Sequence, residues 1–323
     1  MAGGAVMNML MPWSVRIADY LTHRRQTGFA LANDAGRLVD FARFMEQGDH
    51  PVLTSELAIR WARSSKRQSP ITWARRIEVL RGFAHYWQQF DTNTEIPPRA
   101  CFGSCHRRLV PHIFTPEELT ALLKSCGQLL PIDGLRPITC RTILGLLAAT
   151  GLRISEAIHL KRDNVDLREG VLSIREAKFH HSRIVPLHPS TTRALHDYAL
   201  LRDGKVPTQT GDAPFFLQDN GSGATAGGIR YALQSLCKML NWQPRGDHER
   251  HRLHDLRHTF IVHSTLRCYQ NGGAPDREMQ ALSTYVGHVH VSDTYWYLTG
   301  IPELMAIAAE RFQGFVSHQE DGK

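Results

Sequence analysis

Apolar residues recur at spacings of three and four along almost the whole chain and alternate at a spacing of two in one place only. That contrast limits the fold more than any other property of the sequence, because a spacing of three and four lines one face of a helix and a spacing of two lines one face of a strand. From Ser14 to Phe90 the helical pattern is nearly continuous: residues 33–46 carry Leu38, Phe41, Ala42 and Met45 on one stripe, and residues 54–63 and 72–90 repeat it. The single strand-like stretch runs from Val171 to Arg175 and from Arg183 to Leu187, around a polar tip at Lys178 to Ser182, and reads as a β-hairpin. The expected fold is therefore mainly α, with one small antiparallel sheet.

At roughly 150 residues per domain, 323 residues suggest about two domains, each able to bury a core. Periodicity stops between Asp91 and Pro111, where Pro97, Pro98, Gly103 and Pro111 accumulate. We place an N-terminal helical domain at 1–100, a linker at 101–111 and a C-terminal domain at 112–323. Thr115, Pro116 and Glu118 form a capping-box sequence with proline at the first helical position, so a helix starts there. Further helices are expected over 137–149, ending at Gly151, then briefly from Ser155, and over 190–201, 226–240, 254–267 and 277–286. Asp219 to Gly223 reads only as a polar loop. A tail helix over 302–313 carries Leu304, Ile307, Ala308 and Phe312 on one stripe.

Several function classes are disfavoured at this stage. No window approaches the roughly 18 consecutive apolar residues of a membrane span, and residues 1–13 lack the pattern of a secretory signal. Six cysteines are too sparse for a disulfide framework, which fits a reducing cytoplasm. His248, Glu249, Arg250 and His251 imitate a zinc-protease motif with the second histidine one residue early. Cys101, Cys105, His106 and His112 match none of the usual zinc spacings. No phosphate-binding glycine loop of the Walker type is present, which argues against ATP use. Lys and Arg number 38 against 31 acids, a formal charge of +7. Arg60, Arg63, Lys66, Arg67, Arg75, Arg76 and Arg81 stand against the single acid Glu78, so seven minus one, or +6, falls in this short span. Trp61 and Trp73 lie within it and are read as core anchors of the helices rather than as platforms for bases. A run of cations like this is ordinarily a solvated face; beside a set of residues elsewhere in the chain suited to a phosphodiester, it is read as contacts to the backbone of duplex DNA.

The chemistry-bearing residues group differently. In chain order come Thr150-Gly151-Leu152-Arg153-Ile154-Ser155-Glu156, Lys178 at the hairpin tip, His254-Asp255-Leu256-Arg257-His258, Gly287-His288, and Thr294-Tyr295-Trp296-Tyr297. Two arginines, a lysine, two histidines and a terminal tyrosine suit a phosphodiester, since a guanidinium fork holds two phosphate oxygens and neutralises charge that builds on them. The segments A-T-G-L-R-I-S-E-A, H-D-L-R-H-T-F and V-G-H-V-H-V-S-D-T-Y-W-Y resemble the three boxes of the tyrosine recombinases, the phage integrase family. The likeness covers about Thr115 to Phe312, and the basic helical region before it resembles that family's core-binding (SAM-like) domain.

Carried over position by position, the resemblance assigns catalytic roles to Arg153, Lys178, His254, Arg257, His288 and Tyr297. The family's nucleophile stands nine residues after the histidine of the Gly-His pair, which selects Tyr297 and leaves Tyr285 and Tyr295 structural; His258, His263 and His290 receive no role. Glu156 and Asp255, the acids nearest the two arginines, are candidates to orient them. The resemblance implies a site-specific DNA recombinase working through a 3′-phosphotyrosyl link, without metal or ATP, and by the Leu298-Thr299 pair after the nucleophile a mobile-element integrase. It also implies a homotetramer on two DNA duplexes, with the tail helix packed in cis or in trans, a partner recombinase or DNA-bending factor, and a place in the cytoplasm at the nucleoid. Two alternatives stay open: DNA relaxation of the type IB topoisomerase kind, and a catalytically silent DNA-binding regulator of the same fold.

Overall fold

The apolar stripes of the first hundred residues become four helices among the described residues: α1 (Trp13–Gln26), α2 (Ala32–Gln47), α3 (Ser55–Arg63) and α4 (Pro70–Trp87). The computed structural model describes residues 11–29, 31–105, 109–175, 182–207, 210–270, 275–288, 290 and 292–295. It divides into two units, Met1–Arg108 and Leu109–Lys323. In the first, Thr54 caps α3 by accepting the Leu57 N–H at 3.3 Å, and proline opens α4. The helices share a core of Ile17, Leu38, Phe41, Met45, Leu80 and Phe83 around Trp61, which is fully buried. Trp61 meets Phe41 edge to face at 5.1 Å and Trp73 meets Phe102 likewise at 5.4 Å, so both indoles pack against protein rings. No helix or paired strand lies between Trp87 and Pro116 among the described residues, but the segment is tied down: Glu95 donates its N–H to Leu53 O at 2.9 Å and accepts from Ser55 N at 2.7 Å.

The second unit begins with α5 (Pro116–Ser125), whose capping box is complete: Thr115 Oγ1 accepts from Glu118 N at 3.2 Å, and Glu118 Oε2 accepts from Thr115 N at 2.9 Å. Then comes α6 (Arg136–Thr150), apolar around most of its circumference and accordingly buried, with Ile143, Leu144, Leu146 and Leu147 in the core. Its first N–H groups have a remote acceptor, since Asp219 Oδ1 receives Leu135 N at 2.5 Å and Arg136 N at 3.2 Å. The polar loop at 219–223 therefore has a structural duty, supplying the cap of the central helix.

After α7 (Ile154–Ile158) come β1 (Val165–Asp166), β2 (Val171–Ile174) and β3 (Arg183–Pro186), an antiparallel sheet in that order. The hairpin matches expectation, whereas β1, two residues long, carries no alternation that could announce it. The register pairs Leu172 with Val185 and Ile174 with Arg183 on the inner face, and Ser173 with Ile184 on the outer, where Ile184 is 67% exposed. Among the described residues there follow α8 (Pro189–Lys205), α9 (Ala226–Met239), α10 (Leu253–Gln270), α11 (Pro275–Val286) and the short α12 (Ser292–Tyr295). α8 outruns its expected end because Arg202 is buried, donating to Phe215 O at 2.8 Å and to Asp203. α10 packs against α6, and Leu256 joins Phe114, Leu147, Leu172, Phe216 and Leu233 in one core. The expected tail helix over 302–313 lies outside the described residues. No described helix is long and apolar enough to cross a membrane.

Candidate active site

Two glycines with left-handed backbone build the site. Gly151 (φ +64°) ends α6, its N–H bonded to Leu147 O at 2.9 Å, and its carbonyl receives Arg257 Nη1 at 2.6 Å. Gly287 (φ +70°) ends α11, its N–H bonded to Thr284 O at 3.1 Å, and its carbonyl receives Arg153 Nη2 at 2.7 Å. Neither place admits a side chain: an added Cβ would lie 2.5 Å from Phe260 Cδ1 at Gly151 and 2.7 Å from Arg183 Nη1 at Gly287. Segments more than a hundred residues apart are thus stitched together, each arginine held by the carbonyl of a glycine from a different segment.

Arg153 precedes α7 and is also bound to its acid. Glu156 accepts Arg153 N at 2.9 Å on Oε2 and Arg153 Nη1 at 3.0 Å on Oε1. Arg183 then grips both oxygens of the same carboxylate, Nη1 to Oε1 at 3.0 Å and Nη2 to Oε2 at 2.9 Å. Burial would raise the Glu156 carboxyl, but the Arg183 hydrogen bond, the Arg153 N–H and the two guanidinium charges outweigh it and leave the pKa below the ordinary value. Asp255 behaves otherwise: it is fully buried but accepts from Arg252, at 2.7 Å from N, 3.0 Å from Nε and 2.6 Å from Nη2, and so anchors the start of α10. The expected pairing with Arg257 is replaced by this one, because an acid in the first helical turn reaches back to the residue before the helix.

His254, Arg257 and His258 share a face of α10 by their spacing of three and four. The imidazoles of His254 and His258 meet edge to face, centroids 4.5 Å apart. His254 keeps solvent on one side, yet dehydration on the other, then the charges of Arg257, Arg252 and Arg153, hold its pKa below the ordinary imidazole value. His258 is buried and lowered to about 2, by burial first and then by His254 and the neighbouring arginines, which makes it a neutral packing residue. His288 follows Gly287; its N–H goes to Ser283 O at 2.9 Å and its Nδ1 shares a 2.7 Å hydrogen bond with Thr294 Oγ1 of α12, fixing the ring. Tyr285 bonds through its hydroxyl to Pro186 O at 3.0 Å and stacks on Phe260. The structure thus brings Arg153, His254, Arg257 and His288 together, while Lys178 and Tyr297 lie outside the described residues.

Sequence reasoning missed Arg183, whose only signal is that it shares a strand face with Val185. In the basic span the cations divide. Arg76 is bound to Asp40 Oδ2 at 2.7 Å and lies over Trp61 at 4.0 Å; Arg81 donates to Pro97 O. Arg60, Arg63, Lys66, Arg67 and Arg75 are exposed, Arg60 touching His50 and Arg63 lying over Phe102 at 5.5 Å. His251 is buried against His112 at a ring separation of 4.5 Å, and Cys105 donates to Glu78 at 2.6 Å. No group of three or more metal-ligating side chains is found among the described residues.

The phage integrase family model matches residues 112–300. The integrase/recombinase y4rB of Sinorhizobium fredii (strain NBRC 101917 / NGR234) is 38% identical over 92% of this chain and 96% of its own length. The tyrosine recombinase XerC of Staphylococcus aureus (strain MSSA476) is 30% identical over 80% of this chain and 82% of its own. The Tn1549 transposon integrase, solved in complex with transposon right end DNA, shares the fold with a TM-score of 0.66 at 20% identity, covering 94% of this chain and 100% of that one. A mainly helical fold with a small antiparallel sheet, two carbonyl-anchored arginines beside two histidines, and relatives matched over nearly the full length agree: the chain belongs to the phage integrase family, the tyrosine recombinases.

Proposed function

We propose that this recombinase cleaves and rejoins DNA through a covalent 3′-phosphotyrosyl intermediate on Tyr297, and that it serves a mobile element. The observation that carries the reading is the convergence of Arg153 and Arg257, each fixed by a glycine carbonyl, with His254 and His288. Two rigid forks beside two imidazoles suit a phosphodiester whose charge grows as a fifth oxygen approaches. Tyr297 Oη attacks the scissile phosphorus, the bond to the 5′-oxygen breaks, and that oxygen leaves as a free hydroxyl, conserving the bond for rejoining. Forming the phenolate beforehand at neutral pH would cost roughly 4 kcal/mol for a phenol of pKa about 10. A neutral imidazole removes that need by accepting the proton during attack, and the lowered pKa of His254 keeps it neutral. Lys178 protonates the departing 5′-oxygen, and His288 donates a hydrogen bond to the phosphate.

The exposed Arg60, Arg63, Lys66, Arg67 and Arg75 contact the DNA backbone in this reading, while Arg76 and Arg81 hold their own unit together. The mobile-element role rests on the likeness to y4rB and to a transposon integrase and on the Leu298-Thr299 pair. The test is a cognate site carrying a 5′-bridging sulfur at the cleaved phosphate, which leaves but does not rejoin. Wild type accumulates a covalent protein–DNA adduct and Tyr297→Phe does not; an equal adduct from both, or none from wild type, rejects the reading.

A further inference from the structure

We infer that Arg183, on β3, is a positioning residue for the recombination reaction, setting the Arg153 guanidinium through Glu156 and through the turn at Gly287. This rests on the phosphotyrosyl reading above. Arg183 reaches the site because the strand alternation turns it inward beside Val185, and its side chain is 12% exposed. Its three nitrogens are all engaged: Nη1 and Nη2 close a bidentate pair with Glu156, and Nε donates to Tyr285 O at 2.9 Å.

Both partners lead to Arg153. Glu156 Oε1 receives Arg153 Nη1 and Arg183 Nη1, each at 3.0 Å, so the carboxylate bridges the two guanidinium groups. Tyr285 O lies two residues before Gly287, whose carbonyl is the other anchor of Arg153. The absence of a side chain at Gly287 is what admits Arg183, since a Cβ there would lie 2.7 Å from Nη1. Arg183 therefore braces, from the sheet, both groups that orient Arg153, without being a ligand of the phosphate itself. A lysine would keep the charge but lose the planar fork, releasing one Glu156 oxygen and the Tyr285 carbonyl.

The test compares wild type, Arg183→Lys, Arg153→Lys and the double variant, all as the full chain, by single-turnover adduct formation on the 5′-bridging-sulfur site at saturating protein. Arg183→Lys should slow adduct formation about 100-fold, the order expected when a reacting group is displaced by an ångström. Affinity for the half-site should stay near wild type, and the urea midpoint, lowered by the released hydrogen bonds, should leave the protein folded under assay conditions. In the Arg153→Lys background the same change should add little, because the fork it positions is already gone. Multiplicative losses in the double variant, a loss recovered by raising protein concentration, or a wild-type rate in Arg183→Lys would each overturn the inference while leaving the phosphotyrosyl reading intact; no adduct from wild type overturns both. Should Arg183→Lys not fold, Arg183→Met with Glu156→Gln, which removes the two paired buried charges together, is measured with and without Arg153→Lys in the same cycle: a loss that Arg153→Lys does not deepen supports the bracing pair, and a wild-type rate or multiplicative losses overturn it.

Discussion

Glu156 stands in the least forgiving place in the molecule, a buried carboxylate shared by two guanidinium groups and a backbone N–H. Removing it leaves Arg183 largely buried with nothing to balance its charge, so Glu156→Ala should lower unfolding free energy by about 3 kcal/mol in urea titrations, typical of a broken buried pair. Because its folded pKa is below that of the unfolded chain, the ionised group favours the fold above the unfolded value and loses that contribution as pH falls through the folded one. His112 obeys the same sign for a different reason. Burial first, then His251 and Arg245, bring it from 6.5 to about 4, so between those values the unfolded chain binds the extra proton. Stability should fall as pH drops through that window, followed by tryptophan fluorescence in urea at stepped pH, and His112→Asn should flatten the dependence. At this scale a motif names residue types, whereas geometry chooses each side chain's partner: Asp255 stands three residues from Arg252 and two from Arg257, and it binds the first. Arg183 belongs to no motif, and it is the register, pairing Ile174 with Arg183 and Ser173 with Ile184, that puts Arg183 on the inner face and Ile184 on the outer.

At the scale of elements, the helices were legible because their stripes and caps are local. Thr115 with Glu118, and Thr54 before α3, announce themselves within four residues. The hairpin was equally local. What could not be read was the cap of α6, because its acceptor comes from Asp219, more than eighty residues downstream. Asp219→Ala should cost about 1 kcal/mol, the usual worth of a helix N-terminal acceptor. Since α6 ends in Gly151, the same variant should also slow adduct formation; an unchanged rate would show that fraying at one end of α6 does not reach the other. Gly287→Ala belongs here too, since the new methyl displaces Arg183 and strains a left-handed residue by about 1 kcal/mol. Single-turnover rates should fall far more than the thermal midpoint does.

For the whole molecule, the surplus of +7 separates into cations with different duties. Within the one span from Arg60 to Arg81 the exposed cations run from Arg60 to Arg75 and the committed arginines, Arg76 and Arg81, follow them, a division the sequence could not display because Asp40 and Pro97, the groups that bind Arg76 and Arg81, come from other segments. The salt dependence of DNA affinity should separate them. Alanine at Arg63, Lys66, Arg67 or Arg75 should lower the slope of log affinity against log salt by about one for each phosphate that is no longer neutralised. Arg76→Ala should instead lower the thermal midpoint, and a slope change matching the other four would reassign it to the DNA.

The two arginine anchors are main-chain carbonyls, and an acceptor of that kind belongs to every residue alike. Substitution cannot delete it; only a change in the path of the chain can turn it away. The hold on each arginine therefore depends on the backbone angles at Gly151 and Gly287 and not on any side chain at those two positions. Losing either glycine would turn its carbonyl away and release the arginine it holds, although every arginine remained in the sequence.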